Sequence, residues 1–248
     1  MSISAVVLSK NEEKNIKECL ESLKFCNEII VVDDFSQDDT VRIAKSSGAK
    51  VYSRRLNNDF AAQRNYALDK CSSEWILFTD ADERITERLA AEIANINNQT
   101  SKDTGFYIRR EDTIWGKRLK HGEFGTTLLL RLAGKDAGKW KRAVHEYWDV
   151  KGKKGQLKNP ILHYPHQSLR EFISAVNWHS SLHSEANLKE GKKSNIFKII
   201  LYPKLKFLNN WIIKRGFLDG TEGFVAALMM SFHSFLAWSK QWIKQQEK

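Results

Sequence analysis

The residues that could do chemistry begin with the run Glu74-Trp75-Ile76-Leu77-Phe78-Thr79-Asp80-Ala81-Asp82-Glu83. Its middle, Trp75 to Thr79, is apolar, aromatic or β-branched and reads as a buried strand. The strand ends at once in Asp80, Asp82 and Glu83. In an open α/β sheet, ligands sit outside the carboxyl ends of the strands. Carboxylates crowded there repel each other unless a positive group joins them. Mg²⁺ or Mn²⁺ fits that need, because such ions take one or two protein carboxylates and complete their shells with water and phosphate oxygens. Acids are also favoured at a helix N-terminus. A helix is predicted to open near Thr86, so the run alone leaves that reading open.

The elements that must position these acids follow from the rest of the first half. Ile3 to Leu8 is an apolar strand, after which Asn11 caps a predicted helix with Glu12 and Glu13 in its first turn. Ile16, Cys19, Leu20 and Leu23 recur at helical spacing and form its apolar face. Glu28 to Val32 is the second strand, and it too ends in paired acids, Asp33 and Asp34. A helix from Asp38 to Ser47, stopped by Gly48, leads to a short strand over Lys50 to Tyr52. Another helix, Asn58 to Asp69, leads into the strand that ends at Asp80. Alternating strands and helices imply a parallel sheet with right-handed crossovers. Two acidic strand ends then lie at one edge, which strengthens the case for a site. From Thr104 the pattern changes: Gly105 to Arg110 and Thr127 to Leu132 read as strands of a mixed extension. From Ser168 the chain reads as helical, broken near Pro203 and Gly216.

Charge divides the chain unevenly. Residues 1–150 hold 24 Lys/Arg and 24 Asp/Glu, whereas residues 151–248 hold 16 and 6, so the whole net charge of +10 lies in the second part. Such asymmetry implies an anionic partner, nucleic acid or an anionic membrane. Lysines 198, 204, 206 and 214 with Arg215 interleave with apolar residues such as Phe197, Leu201, Leu208 and Trp211. That is the composition of an amphipathic element lying on an anionic leaflet, or else of helices packed on a core with solvated lysines. A nucleic-acid-binding reading is weakened because the neutral part places acids at its strand ends. Three cysteines with no CxxC pair indicate a reducing, cytoplasmic compartment. No basic n-region opens the chain, and the longest uncharged stretch, Gly223 to Ser239, is at or below the length of a membrane span and reads as a buried or interfacial helix. His179 and His183 have a spacing that can bind zinc, as an isolated pair that reads more simply as helix histidines. His163 and His166, flanking a proline turn, read the same way. Ser9-Lys10-Asn11 stands where a nucleotidyltransferase would place a Gly-rich phosphate loop.

Four blocks in order carry a family resemblance: Val6 to Glu12, Ile30 to Thr40, Ala61 to Ala67 and Asp80 to Glu83. The N-terminal 100 residues resemble the family 2 inverting glycosyltransferases. Arg142-Ala143-Val144-His145-Glu146 and Gly216 to Phe224 are similar to the branch of lipopolysaccharide core β-1,4-glucosyltransferases. The resemblance implies an α/β GT-A (Rossmann-like) fold, with a mostly parallel sheet, an antiparallel extension and a helical C-terminal region. It implies a nucleotide-sugar-binding catalytic domain over residues 1–165 and a basic, aromatic-rich helical extension over 166–248. Leu8, Lys10, Glu12, Asp33 and Asp34 would line the uridine pocket, with Lys10 standing where several relatives carry an aromatic residue. Arg64 would approach the nucleotide or its diphosphate, beside Asp80. Asp80 and Asp82 would hold the divalent cation, and Glu146 would be the catalytic base.

The resulting expectation is a metal-dependent enzyme moving a hexose, glucose from UDP-glucose, onto a lipopolysaccharide core sugar or another lipid-linked saccharide. Polyprenyl phosphate or another surface glycan is the alternative acceptor. The expected location is the cytoplasm, peripheral on the inner face of the inner membrane. Inversion needs a base within reach of the acceptor hydroxyl. Glu146 is the first candidate and Asp136 and Glu123 the next, although Glu146 also has the spacing to pair with Arg142. His145 is placed to orient that carboxylate, and Tyr147 and Trp148 to support a sugar face. Arg64 suits a departing diphosphate; taken alone, it reads equally as a solvated helix arginine.

Overall fold

The computed structural model describes residues 2–96, 103–125, 127–165 and 168–247. The chain forms two compact units, residues 1–110 with 128–163, and residues 111–127 with 164–248.

The first unit starts with alternating strands and helices: β1 (Ile3–Ser9), α1 (Ile16–Ser22), β2 (Glu28–Asp33), α2 (Thr40–Ser46), β3 (Lys50–Ser53), α3 (Phe60–Lys70) and β4 (Trp75–Asp80). It continues through β5 (Glu83–Ile85), α4 (Glu87–Ala94) and β6 (Gly105–Ile114), whose last residues belong to the second unit. After β7 (Lys117–Arg118) and α5 (Gly122–Gly125) of the second unit come β8 (Thr127–Gly134), β9 (Gly138–Lys141), β10 (Tyr147–Val150), β11 (Lys154–Gln156) and β12 (Ile161–His163). The main sheet runs β3-β2-β1-β4-β8-β6-β12-β5. Its first four strands are parallel, β8 joins β4 antiparallel, and β12 joins β5 antiparallel. β9 and β10 form a separate hairpin.

Alternation along the parallel strands explains why they are apolar throughout. Ala5, Val7, Val31 and Leu77 face one buried layer with α1 and α4, while Val6, Ile30, Val32 and Phe78 face another with α3. A sheet covered on both faces leaves no solvent side for polar residues. The register puts Leu8 level with Val32 and with Asp80, and Asp33 level with Ser9 and Ser53. Both acidic strand ends therefore reach the same carboxyl edge.

Two local expectations are corrected. The first helix starts at Ile16, not after Asn11. Asn11 takes a left-handed backbone (φ 55°), and its side chain accepts a hydrogen bond from Gln37 N, tying the loop after β1 to the loop after β2. Glu83 begins the short strand β5, so the acids after β4 do not open a helix; α4 is capped by the Thr86 hydroxyl instead.

The second unit holds α6 (Leu169–Lys189), α7 (Ile196–Leu208) and α8 (Gly220–Gln246). Ile114, Leu119, Phe172, Val176, Ala226 and Met229 form its core. Pro203 sits inside α7 without ending it, and a π-turn over Asn209–Ile213 follows. The uncharged stretch from Gly223 lies within α8 and buries Gly223, Ala226, Ala227, Met229 and Ala237. Among the described residues no helix is long and apolar enough to cross a membrane.

Candidate active site

At the end of β2, Asp33 is held by neutral donors. Asp33 is fully buried and accepts from Ser9 Oγ (3.0 Å), Ser36 N (2.8 Å) and Ser36 Oγ (2.5 Å). Its role is to fold the chain back after the strand. Asp34 is part-exposed; it accepts from Leu56 N (3.0 Å), and Lys10 Nζ lies 3.2 Å from its other oxygen. Lys10 thus spans the two loops at this edge. Phe35 follows in a left-handed conformation (φ 52°) that is strained for a bulky side chain, with the Arg55 guanidinium 4.7 Å from its ring centre.

The end of β4 is held by full charges. Arg64, from α3, donates to Asp80 Oδ1 and to Glu146 Oε1, each at 3.0 Å, and is only 4% exposed. Arg131, from β8, donates to Asp80 Oδ2 (2.5 Å) and to the fully buried Glu83 (2.8 Å). Glu83 also accepts from Asp80 N and Thr79 Oγ1. Burial alone would raise the Asp80 pKa, but Arg131 and Arg64 outweigh it and hold the carboxyl well below the usual range. Asp82 behaves likewise, with His163 as the counter-charge: His163 Nε2 lies 3.0 Å from Asp82 Oδ2. The strand pair β5–β12 sets this contact, since His163 stands opposite Glu83. For Glu12, burial first, then Asp82 and Asp80, push the pKa up to about 7 against a hydrogen bond from Asn15.

Glu146 arrives on the loop of the β9–β10 hairpin. Arg142 (φ 68°) and His145 (φ 54°) turn that loop through left-handed conformations. Phe60 N donates to Ala143 O, and Asn65 exchanges two hydrogen bonds with the backbone of Trp140, so α3 anchors the hairpin. Trp140 and Trp148 stack at 5.4 Å with Phe78 edge-on to both, and the Arg64 guanidinium lies 4.7 Å from the Trp140 ring centre. The same packing therefore fixes Arg64 and the loop that carries Glu146.

Chemically, the arrangement offers an ionised carboxylate beside a forked guanidinium, and two buried arginine atoms, Arg64 Nη1 and Arg131 Nε, without a hydrogen-bond partner. Unpaired buried donors favour an anion. For a divalent ion, Asp82 and His163 are the adjacent oxygen and nitrogen donors, whereas both oxygens of Asp80 receive arginine hydrogens. No group of three or more His, Cys, Asp and Glu side chains suited to a metal occurs among the described residues. An ion here would complete its shell with water and ligand phosphate, the habit of Mg²⁺ and Mn²⁺.

The profile of Glycosyl transferase family 2 matches residues 4–152. The chain belongs to this family. Lipopolysaccharide core biosynthesis glycosyltransferase LpsC of Rhizobium meliloti is 26% identical over 97% of this chain and 92% of its own length. Among solved structures, S. aureus TarS in complex with UDP-GlcNAc superposes with a TM-score of 0.52 at 16% identity, covering 100% of this chain and 93% of that one. The mannosyltransferase PcManGT from Pyrobaculum calidifontis, in complex with GDP-Man and Mn²⁺, gives 0.59 at 12% identity over 97% and 86%. The protein is a glycosyltransferase with the GT-A fold.

In this glycosyltransferase Leu8, Lys10, Glu12, Asp33, Asp34, Arg64, Asp80, Asp82 and Glu146 lie around the carboxyl edge of the sheet. The other base candidates lie elsewhere. Asp136 follows β8 beside the start of β4, at the opposite end of that strand from Asp80. Glu123 belongs to the second unit, where Lys206 (2.7 Å) and Asn210 engage it. Glu146 pairs with Arg64 rather than serving only as a partner for Arg142. Trp148 is buried in the hairpin core and supports no sugar face; Tyr147 is exposed. Among the described residues His179 and His183 belong to no group of three or more metal-ligating side chains; His183 stacks on His233 and His179 lies against Trp178. His166 lies outside the described residues. Sequence reasoning missed Arg131, its hold on Glu83 and the pairing of His163 with Asp82. A single arginine inside the apolar run Leu128 to Ala133 was the available signal for Arg131; 81 residues separate His163 from Asp82, and no local pattern marks them.

Proposed function

We propose that the protein transfers a hexose, glucose, with inversion from a UDP-sugar to a lipopolysaccharide core or other lipid-linked saccharide, using Mg²⁺ or Mn²⁺. The observation that carries this reading is Arg64 bridging Asp80 and Glu146 beside the Asp82–His163 pair. Glu146 accepts the proton of the acceptor hydroxyl. The freed oxygen attacks the anomeric carbon from the side opposite UDP, whose bond to that carbon breaks. Arg64 holds Glu146 in place before the reaction and offers its spare N–H donors to the diphosphate. Asp34 accepts the imide hydrogen of uracil, and Lys10, held beside it, donates to the neighbouring carbonyl. Asp82 and His163 would hold the cation, near Asp80 and Glu12, and the ion would neutralise charge on the departing diphosphate. The family resemblance to the core glucosyltransferases and the likeness to LpsC support the acceptor class. The same reading puts the enzyme at the cytoplasmic face of the membrane, as a peripheral protein.

Calorimetric titration of UDP with Mn²⁺, with EDTA, and into Asp82→Asn tests the site. Metal-dependent binding that the substitution abolishes is expected. UDP that binds under neither condition would overturn the reading. NMR of the product anomer, with UDP-glucose and a core oligosaccharide, then tests donor and stereochemistry.

A further inference from the structure

The second unit carries a helix, α7, that packs on α8 and leaves a row of large apolar side chains exposed. α7 rests on α8 through Pro203, the single buried residue of the helix, and through Tyr202 packed edge-on to Trp238 at 5.1 Å. On its other side Phe197, Leu201, Leu205 and Leu208 follow at intervals of four, four and three residues, and Ile212 continues the row in the π-turn. That spacing lines one face. These five are 75%, 49%, 49%, 45% and 52% exposed, and Ile213 beside them is 74% exposed. A row of large side chains left open in this way marks an interaction surface rather than scattered surface apolarity.

Charge identifies the occupant. From Gly191 to Leu218 the sequence has seven Lys/Arg residues and no Asp or Glu. Within the unit Glu190 pairs with Lys192 and Glu123 with Lys206. Lys193, Lys204, Lys214 and Arg215 make no ion pair among the described residues, and they flank or interrupt the apolar row. An acidic protein groove would satisfy the lysines but not a continuous row of Phe, Leu and Ile. A second copy of this surface would bring like charges together. A bilayer with anionic headgroups satisfies both, because its acyl boundary takes the apolar row while the lysines reach phosphate.

We propose that α7 and the π-turn after it form a membrane-docking element that lies in the plane of an anionic leaflet. Phe197, Leu201, Leu205, Leu208 and Ile212 enter the headgroup–acyl boundary, and Lys193, Lys204, Lys214 and Arg215 bind lipid phosphates. The purpose of this element, presenting a lipid-linked acceptor, rests on the proposed function; its existence does not.

The test is co-sedimentation of the whole protein with vesicles of phosphatidylcholine containing phosphatidylglycerol, against pure phosphatidylcholine, at low and high salt. Binding that needs phosphatidylglycerol and weakens with salt is expected. Phe197→Glu/Leu201→Glu should weaken it at least about tenfold, the two changes removing apolar insertion and adding repulsion. Lys204→Gln/Lys214→Gln, which spares the apolar row, should also weaken it. UDP titration and circular dichroism of each variant report whether the fold survives. Wild-type protein that binds UDP but no anionic vesicle at low salt would overturn the docking element and leave the transferase reading intact. Vesicle binding with no UDP binding would do the reverse. A dimer in analytical ultracentrifugation that Phe197→Glu/Leu201→Glu disperses would assign the face to a second copy and sink the proposal.

Discussion

β2 and β4 both run out of the sheet into two acids, and the protein treats the two pairs differently. Asp33 is satisfied by hydroxyls and a backbone N–H, and Asp34 by a backbone N–H and a half-exposed lysine. Asp80 is clasped by two buried arginines and Asp82 by a histidine. Neutral donors suffice for the buried Asp33, which shapes a turn. Full charges are needed where several carboxylates converge. At the β2 end the first acid is buried and fixed by the fold, and the second is part-exposed.

The strongest way to break this comparison is at the carboxylate that Arg64 links to the β4 end. Glu146→Gln keeps a partner for Arg64 but removes the proposed base, so kcat should fall about 10²–10⁴-fold. UDP affinity should stay within a factor of a few. If UDP affinity falls as far as kcat, Glu146 serves only to hold Arg64, and the β4 end has lost its catalytic distinction.

Arg131→Met attacks the same end through stability. It leaves the fully buried Glu83 without its nearest cation and Asp80 with Arg64 alone. Breaking a buried pair from one side costs about 3–5 kcal/mol. Urea denaturation should show that loss, and Glu83→Gln added to Arg131→Met should recover part of it. A variant as stable as the parent would mean that solvent, not Arg131, neutralises these acids.

Much of this contrast is legible in the amino-acid sequence, and the part that is not has a physical cause. The strands β1, β2 and β4 stand out as apolar runs, and Asp33, Asp34, Asp80 and Asp82 as their ends. Glu146 and Arg64 become legible through the family blocks. What local pattern cannot show is pairing across the antiparallel extension. Arg131 reaches Asp80 because β8 lies antiparallel to β4, with Leu132 level with Leu77. His163 reaches Asp82 because β12 lies antiparallel to β5. Both strands of that second pair are three residues long, too short for periodicity to reveal. The start of α1 escapes a reading by residue type because Asn11 has the side chain of a cap, yet spends it on the loop after β2.

At the β2 end the expected effects are smaller and separate the two acids. Asp33→Asn turns one accepting oxygen into a donor facing hydroxyls and a backbone N–H. A loss of about 1–3 kcal/mol is expected for leaving such buried groups unsatisfied. Asp34→Asn should cost less than about 1 kcal/mol, as a part-exposed group does, while weakening UDP by about tenfold, the worth of one good hydrogen bond. Equal stability losses from the two substitutions would erase the distinction between a structural and a ligand-facing acid.

The smallest effect is a slope in pH, and its sign differs between neighbours on the same edge. Glu12 has its pKa raised to about 7 by burial and by Asp82 and Asp80. The folded state therefore holds this proton more tightly than the unfolded chain does. That contribution is complete below about pH 4.5, the ordinary value, and is lost as pH rises through about 7. Asp80 and Asp82 are shifted downward, so their contribution is present above the ordinary aspartate value and is lost as pH falls below it. Thermal midpoints measured without divalent ions should therefore decline from mildly acidic to mildly alkaline pH. Glu12→Gln should flatten that decline while leaving the acid side unchanged. A flat wild-type profile across this range would show that Glu12 is already charged in the fold, and that a cation other than a bound metal serves it.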